Sequence, residues 1–156
     1  MSQLRRCVLL VLCATTVAAG TAGCSRFPAS DDEAIVAVDG LTQFAGSGSS
    51  LAGALSGVVS VDDRGCWVMR APGNGSLDVV WPAGTAWDGP DRRSVRLSNG
   101  RIVAAGSSIR AGGGVHEGVA RDSRSIAPDV TCLGATTVTM VTMSDADTIA
   151  VTSAPE

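Results

Sequence analysis

The chain has 156 residues and a net charge of −3, with 12 Arg, no Lys, 15 acidic residues, one His and five Cys. That length holds one small domain with extensions and excludes a two-domain enzyme. The acidic balance argues against nucleic acid, whose backbone selects clustered cations. With 45 % hydrophobic and 17 % charged residues, the chain is not a disordered acidic polymer.

At the N-terminus, Arg5 and Arg6 precede an uncharged, largely apolar run over residues 7–20, and small residues follow. Basic start, short apolar run and small-residue exit make the order of a secretory signal peptide. A helix of about 14 residues spans roughly 21 Å, short of the ~30 Å bilayer core, so a stable transmembrane helix fits less well. Then comes Thr21-Ala22-Gly23-Cys24, followed at once by polar sequence.

This tetrapeptide resembles the lipobox of bacterial lipoprotein precursors, with Thr21 where Leu or Val is commoner. The resemblance covers residues 1–24 and implies that the signal 1–23 is cut off and the Cys24 thiol carries diacylglycerol. The alternatives are an ordinary cleaved signal or an uncleaved anchor. Two acyl chains supply the stable attachment that a single chain does not, so the membrane is an expected partner through Cys24. The Lys-free composition suits an actinobacterium, hence the extracytoplasmic face of the cell membrane.

Cys7 and Cys13 leave with the signal, which with Cys24 lipidated leaves Cys66 and Cys132. An even pair in an exported chain is most simply a disulfide; free buried thiols are the other reading. There is no Cys-x-x-Cys and the single His is His116, so a zinc set lacks ligands; no metal and no cofactor is expected.

Residues 24–50 read as the lipidated Cys and a flexible tether, closed by Gly46-Ser47-Gly48-Ser49-Ser50. Within it, residues 34–38 fit either an edge strand or a short helix. Residues 51–156 read as the domain. Short apolar runs alternate there with turn residues, the pattern of an all-β domain. Strands are predicted over 55–61, 66–70, 77–81, 94–97, 101–105, 107–111 and 137–143. Asn74-Gly75 and Asn99-Gly100 supply hairpin turns. Residues 137–143 are apolar on both faces, so periodicity does not assign their inward side. No segment has a sustained helical period. Six or seven short strands read as a small barrel or sandwich.

Gly65-Cys66-Trp67-Val68-Met69, Val79-Val80-Trp81-Pro82-Ala83-Gly84-Thr85, Asn99-Gly100-Arg101-Ile102-Val103 and Ala111-Gly112-Gly113-Gly114 stand in that order. In this the chain resembles the OB-like β-barrel domain of small exported bacterial proteins, over about residues 57–132. The resemblance implies a fold and no activity, since OB-like barrels host many roles.

Trp67 and Trp81 are expected in the core, each burying a large area. Trp87 lies in a Pro/Gly-bounded loop and is a candidate ligand contact. Gly112, Gly113 and Gly114 either let backbone approach a ligand, exposing an amide nest, or serve tight packing and positive φ. His116 beside Glu117 suggests a base and its orienter, but neighbours on an extended chain point to opposite sides. Asp62-Asp63 and Asp88/Asp91 read as solvated turn acids, and the Arg residues as a dispersed solvated face. With no catalytic constellation, the domain is expected to be a non-enzymatic binding module for an envelope protein or glycan. The alternative is a small hydrolase or ligand-sensing accessory domain using His116, Glu117 and the glycines.

Overall fold

The computed structural model describes residues 34–45, 53–134 and 137–152; the expected signal segment 1–23, Cys24 and the Gly/Ser run 46–50 lie outside them. The described chain begins with a hairpin, β1 (Ile35–Val38) and β2 (Leu41–Phe44). Then come β3 (Gly53–Val61), β4 (Trp67–Arg70) and β5 (Ser76–Val80). Next are the short β6 (Ala86–Trp87), β7 (Ser94–Arg96) and β8 (Ile102–Ala104). The long β9 (Ser108–Ala120), β10 (Thr137–Met143) and β11 (Ala150–Thr152) complete the set. A single turn of 3₁₀ helix, Ala146–Thr148, precedes β11.

Strands β3, β4, β5, β10 and β9 pair in that order, and β9 pairs with both β10 and β3, which closes the barrel. Every pairing in the ring is antiparallel except β5 with β10, which is parallel. Numbered along the chain, the barrel strands run 1-2-3-5-4 and return to 1, so this is a small all-β barrel of the OB-like kind. β11 extends the sheet beyond the first three residues of β9.

Alternation along each strand sends one set of side chains inward. Leu55 and Val59, Trp67 and Met69, Leu77 and Val79, Ile109 and Ala111, and Val141 and Met143 form one buried cluster. The sheet β6-β7-β8 lies between barrel strands β5 and β9 in sequence and adds Val95, Leu97 and Val103 to that core. Trp67 and Trp81 are buried, as the sequence leads one to expect, and meet edge to face with ring centroids 5.3 Å apart.

A second cluster forms on the outside of β5 and β10. Val80, Val138 and Met140 pack there against Ile35, Phe44, Ile126, Val130 and Leu133. This explains why residues 137–143 are apolar on both faces: Val141 and Met143 face the barrel, while Val138 and Met140 face this outer cluster. A register shift between Val138 and Met140 accompanies the change.

The hairpin of β1 and β2 falls within the stretch expected as tether. It is stitched to the barrel on both sides. Ile35 N–H donates to Ser125 O at 2.6 Å, Phe44 N–H to Trp81 O at 3.0 Å and Trp81 N–H to Thr42 O at 3.0 Å. Ile35 is fully buried and every residue of β2 is buried. The turn is Asp39-Gly40, with φ of +51° and +79°. Two left-handed residues in a two-residue loop make the turn whose twist matches the flanking strands.

Two other turns refine the sequence reading. After β4, Asn74 N–H donates to Ala71 O, and Gly73 carries the positive φ of +80°. Pro72-Gly73 therefore makes the bend that Asn74-Gly75 was expected to make, because Pro presets the first central residue and Gly the second. Between β7 and β8, Gly100 has φ +84° while its N–H donates to Leu97 O. Asn99 braces that turn: its carbonyl oxygen accepts from Arg101 N–H, and its amide donates to Ala146 O at 2.9 Å.

Candidate functional site

The glycine run lies in the middle of β9, where the strand leaves β11 and takes up β10. None of the three glycines has a positive φ. Their role is close approach. A Cβ on Gly113 would stand 2.0 Å from Thr142 O and 2.7 Å from Leu55 Cδ1, and one on Gly53 opposite would stand 2.5 Å from Gly113 O. Gly112 N–H donates to Thr148 Oγ1 at 3.1 Å, and Gly114 O accepts from Thr142 Oγ1. The glycines thus let β3, β9 and β10 converge, as glycine in a barrel strand does at a tight corner. Their amides face the chain itself.

His116 is half-buried on β9, with Nε2 3.0 Å from Thr142 Oγ1. Burial holds its pKa below the ordinary 6.5, because desolvation disfavours the imidazolium. Glu117 is exposed on the opposite side of the strand. Thr142 is fully buried and already bonded to Gly114, so its hydroxyl is a structural partner for the imidazole.

Trp87 is half-buried at the barrel end. It stacks on Trp67 at 6.5 Å, its indole N–H donates to Asp39 O at 3.0 Å, and Arg92 lies over its ring at 5.4 Å. Arg92 also pairs with Asp39 at 3.4 Å. Trp87 therefore ties the N-terminal hairpin to the cap sheet. Its contacts and those of the glycine run are disjoint: the structure does not assemble Trp87, His116 and Gly112, Gly113 and Gly114 into one site.

The disulfide expected from the cysteine count is present, joining Cys66 to Cys132 with Cα atoms 5.3 Å apart. It ties the turn before β4 to the loop after β9. In OB-like barrels, the corresponding two loops commonly line the ligand site. Here that end is stapled, and the hairpin of residues 35–44 packs on residues of the same loop.

Of the turn acids, Asp62, Asp88 and Asp91 bind within the chain. Asp62 accepts from the N–H groups of Arg64 and Cys66 and pairs with the Arg64 guanidinium at 2.7 Å. Burial opposes ionisation of Asp62, yet the Cys66 N–H and Arg64 together hold its carboxyl below the usual range. Arg64 reaches on to Asp78 at 3.0 Å, where burial outweighs the cation and pushes that carboxyl up. Asp88 pairs with Arg96. Among the described residues, no group of three His, Cys, Asp or Glu side chains is placed to hold a metal.

An open groove lies on the outer face of β3. Cross-strand register sets Arg70, Val58, Ser108 and Thr152 in one row over β4, β3, β9 and β11, and Ser56 beside Arg110 in the next. These rows and Pro72 bound a groove of about 580 Å³. Among the described residues, its lining contains no carboxylate. Val58 is 41 % exposed. Arg70 and Arg110 are exposed and make no ion pair or side-chain hydrogen bond among the described residues, whereas Arg64, Arg92 and Arg96 are all paired with Asp. The pattern of single residues does not reveal this groove, because it depends on registers across four strands. The one local signal is that Ser56, Val58, Ser108 and Arg110 all fall on outward strand positions.

Comparison with protein-family models, curated proteins and solved structures finds no match to the chain. The class that the coordinates define is thus structural: a small disulfide-bonded, OB-like β-barrel capped by a three-stranded sheet and flanked by its own N-terminal hairpin.

Proposed function

We propose that this chain is a lipid-anchored protein of the bacterial cell envelope, held at the membrane by Cys24, whose barrel is a non-enzymatic binding module. The observation that carries the binding role is the groove over β3, which sets two exposed arginines, Arg70 and Arg110, on one open outer face of the barrel. A hydroxyl nucleophile needs an adjacent base to activate it, and the described groove lining holds the hydroxyls of Ser56, Ser108 and Thr152 with no His, Asp or Glu beside them. Support for export comes from the Cys66–Cys132 disulfide, a bond that persists in oxidising compartments. The signal-like segment and lipobox-like tetrapeptide support the anchor.

Intact mass of the full chain extracted from membranes, beside Cys24→Ala, tests the anchor. The expected species begins at Cys24, carries added diacylglycerol mass, and is lost in the variant. An unmodified chain in the medium contradicts it. Cross-linking the anchored chain in intact cells, then identifying the adducts, tests the binding role. Reproducible adducts to one envelope component are expected, and none at any cross-linker concentration contradicts it.

A further inference from the structure

We infer that the groove over β3 takes an extended acidic peptide, with Arg70 and Arg110 each holding a carboxylate. This rests on the binding-module reading above and names the site and chemical class of its partner.

The register places Arg70 and Arg110 on one outer face, two strands and two residues apart. At ordinary sheet spacings their Cα atoms stand about 12 Å from each other. A peptide rises ~3.4 Å per residue and sends alternate side chains to one face, so carboxylates two or four positions apart reach both cations. Arginine suits this task because its planar fork binds a carboxylate bidentately. Among the described residues, neither guanidinium makes an ion pair or side-chain hydrogen bond, and no Asp or Glu lines the groove to compete.

Between the arginines the floor is small, formed by Ser56, Val58 and Ser108, with Pro72 and Thr152 at its edges. Val58 and Pro72 offer contacts for alanine-sized side chains, while Ser108 and Thr152 offer hydroxyls to a peptide backbone. No aromatic side chain is in the lining among the described residues. The apolar face of a sugar ring is best matched by an aromatic ring, so an acidic glycan fits this floor less well than a peptide. The net charge of −3 disfavours anions over the surface as a whole, which makes a two-arginine patch selective by position.

The test uses the full-length chain in detergent and fluorescence anisotropy with a labelled alternating Ala-Glu octapeptide. An Ala-Gln octapeptide, inorganic polyphosphate, an oligogalacturonate and anionic lipid vesicles serve as comparisons. Binding of the Ala-Glu peptide is expected, weakening about tenfold for each of Arg70→Gln and Arg110→Gln and falling as salt is raised. Arg93→Gln, an exposed arginine outside the groove, leaves it unchanged. Unfolding midpoints of the variants, expected to equal that of the parent chain, separate lost binding from lost folding.

Four results overturn the inference: no Ala-Glu binding at millimolar peptide, equal affinity for Ala-Gln, tighter binding of polyphosphate, galacturonate or vesicles, or full binding by the Arg70→Gln/Arg110→Gln double variant. If the cellular cross-links of the previous section persist in that double variant, the binding-module reading survives and the groove assignment falls. If wild-type chain gives no cross-links, the broader reading falls first.

Discussion

Two outer faces of the same barrel are treated in opposite ways. Outside β5 and β10, the chain covers itself with the hairpin of β1 and β2 and the loop after β9, and eight buried apolar residues join across that contact. Outside β3 and β9, the surface is open, its hydroxyls face water, and two arginines have no ion-pair partner among the described residues. The covered face carries stability, and the open one is where a partner has room. A fold does not name its function, so the uncovered face is where chemistry has to be sought.

The largest effect is expected at the staple of the covered side. Replacing Cys66 and Cys132 together by Ala removes a cross-link between residues 66 positions apart, which chain-entropy arithmetic puts at about 4 kcal/mol. Denaturant unfolding of the double variant measures it, and a loss below about 1 kcal/mol shows that the hairpin and loop hold that end unaided. Gly113→Ala comes next. Its Cβ collides with Thr142 O and Leu55, so barrel closure is expected to weaken by about 3 kcal/mol. An unchanged midpoint means that β9 and β10 separate more easily than their register suggests.

The comparison itself is sharpened by a pair of truncations. Ile35→Ala empties a fully buried position under the hairpin and is expected to cost about 3 kcal/mol. Val58→Ser, on the open face, is expected to stay within about 0.5 kcal/mol. Equal costs erase the distinction between the two faces.

His116 gives the smallest effect, a slope. Its folded pKa lies below the ordinary 6.5, so the unfolded chain binds more protons between the two values. Stability therefore rises as pH rises through that window and falls as pH drops below 6.5. His116→Gln removes this slope between pH 5 and 7.5 while leaving the acid range, where Asp62 and Asp78 titrate, unchanged. Thermal midpoints across pH are the readout, and an equal slope in the variant contradicts it.

Much of this architecture was readable before any coordinate. Each predicted strand formed, and 137–143 matched β10 to the residue. The glycine run was readable as close packing, although only the third dimension shows that Gly113 faces Thr142 O. Asp39-Gly40, between the apolar Ile35–Val38 and Leu41–Phe44 with its apolar ends, is a strong hairpin signal, yet it sits in a Gly/Ser-bounded segment whose composition resembles a spacer. Local turn chemistry outweighed regional composition. β9 runs nine residues past its predicted end because Gly112, Gly113 and Gly114 continue the ladder. Arg70 and Arg110 stand 40 positions apart in sequence, and only the barrel's registers bring them to one face.

The most direct measurement places a photo-crosslinking amino acid at Val58, in the groove, and separately at Ile102, on the cap sheet, in the full chain expressed in cells. The two side chains are 41 % and 43 % exposed, so accessibility alone gives equal labelling. A discrete adduct from position 58 that is absent from position 102, and lost with Arg70→Gln/Arg110→Gln, is the expected result. Equal labelling at both positions, or an adduct only at 102, contradicts the assignment of the open face as the site where this protein meets its partner.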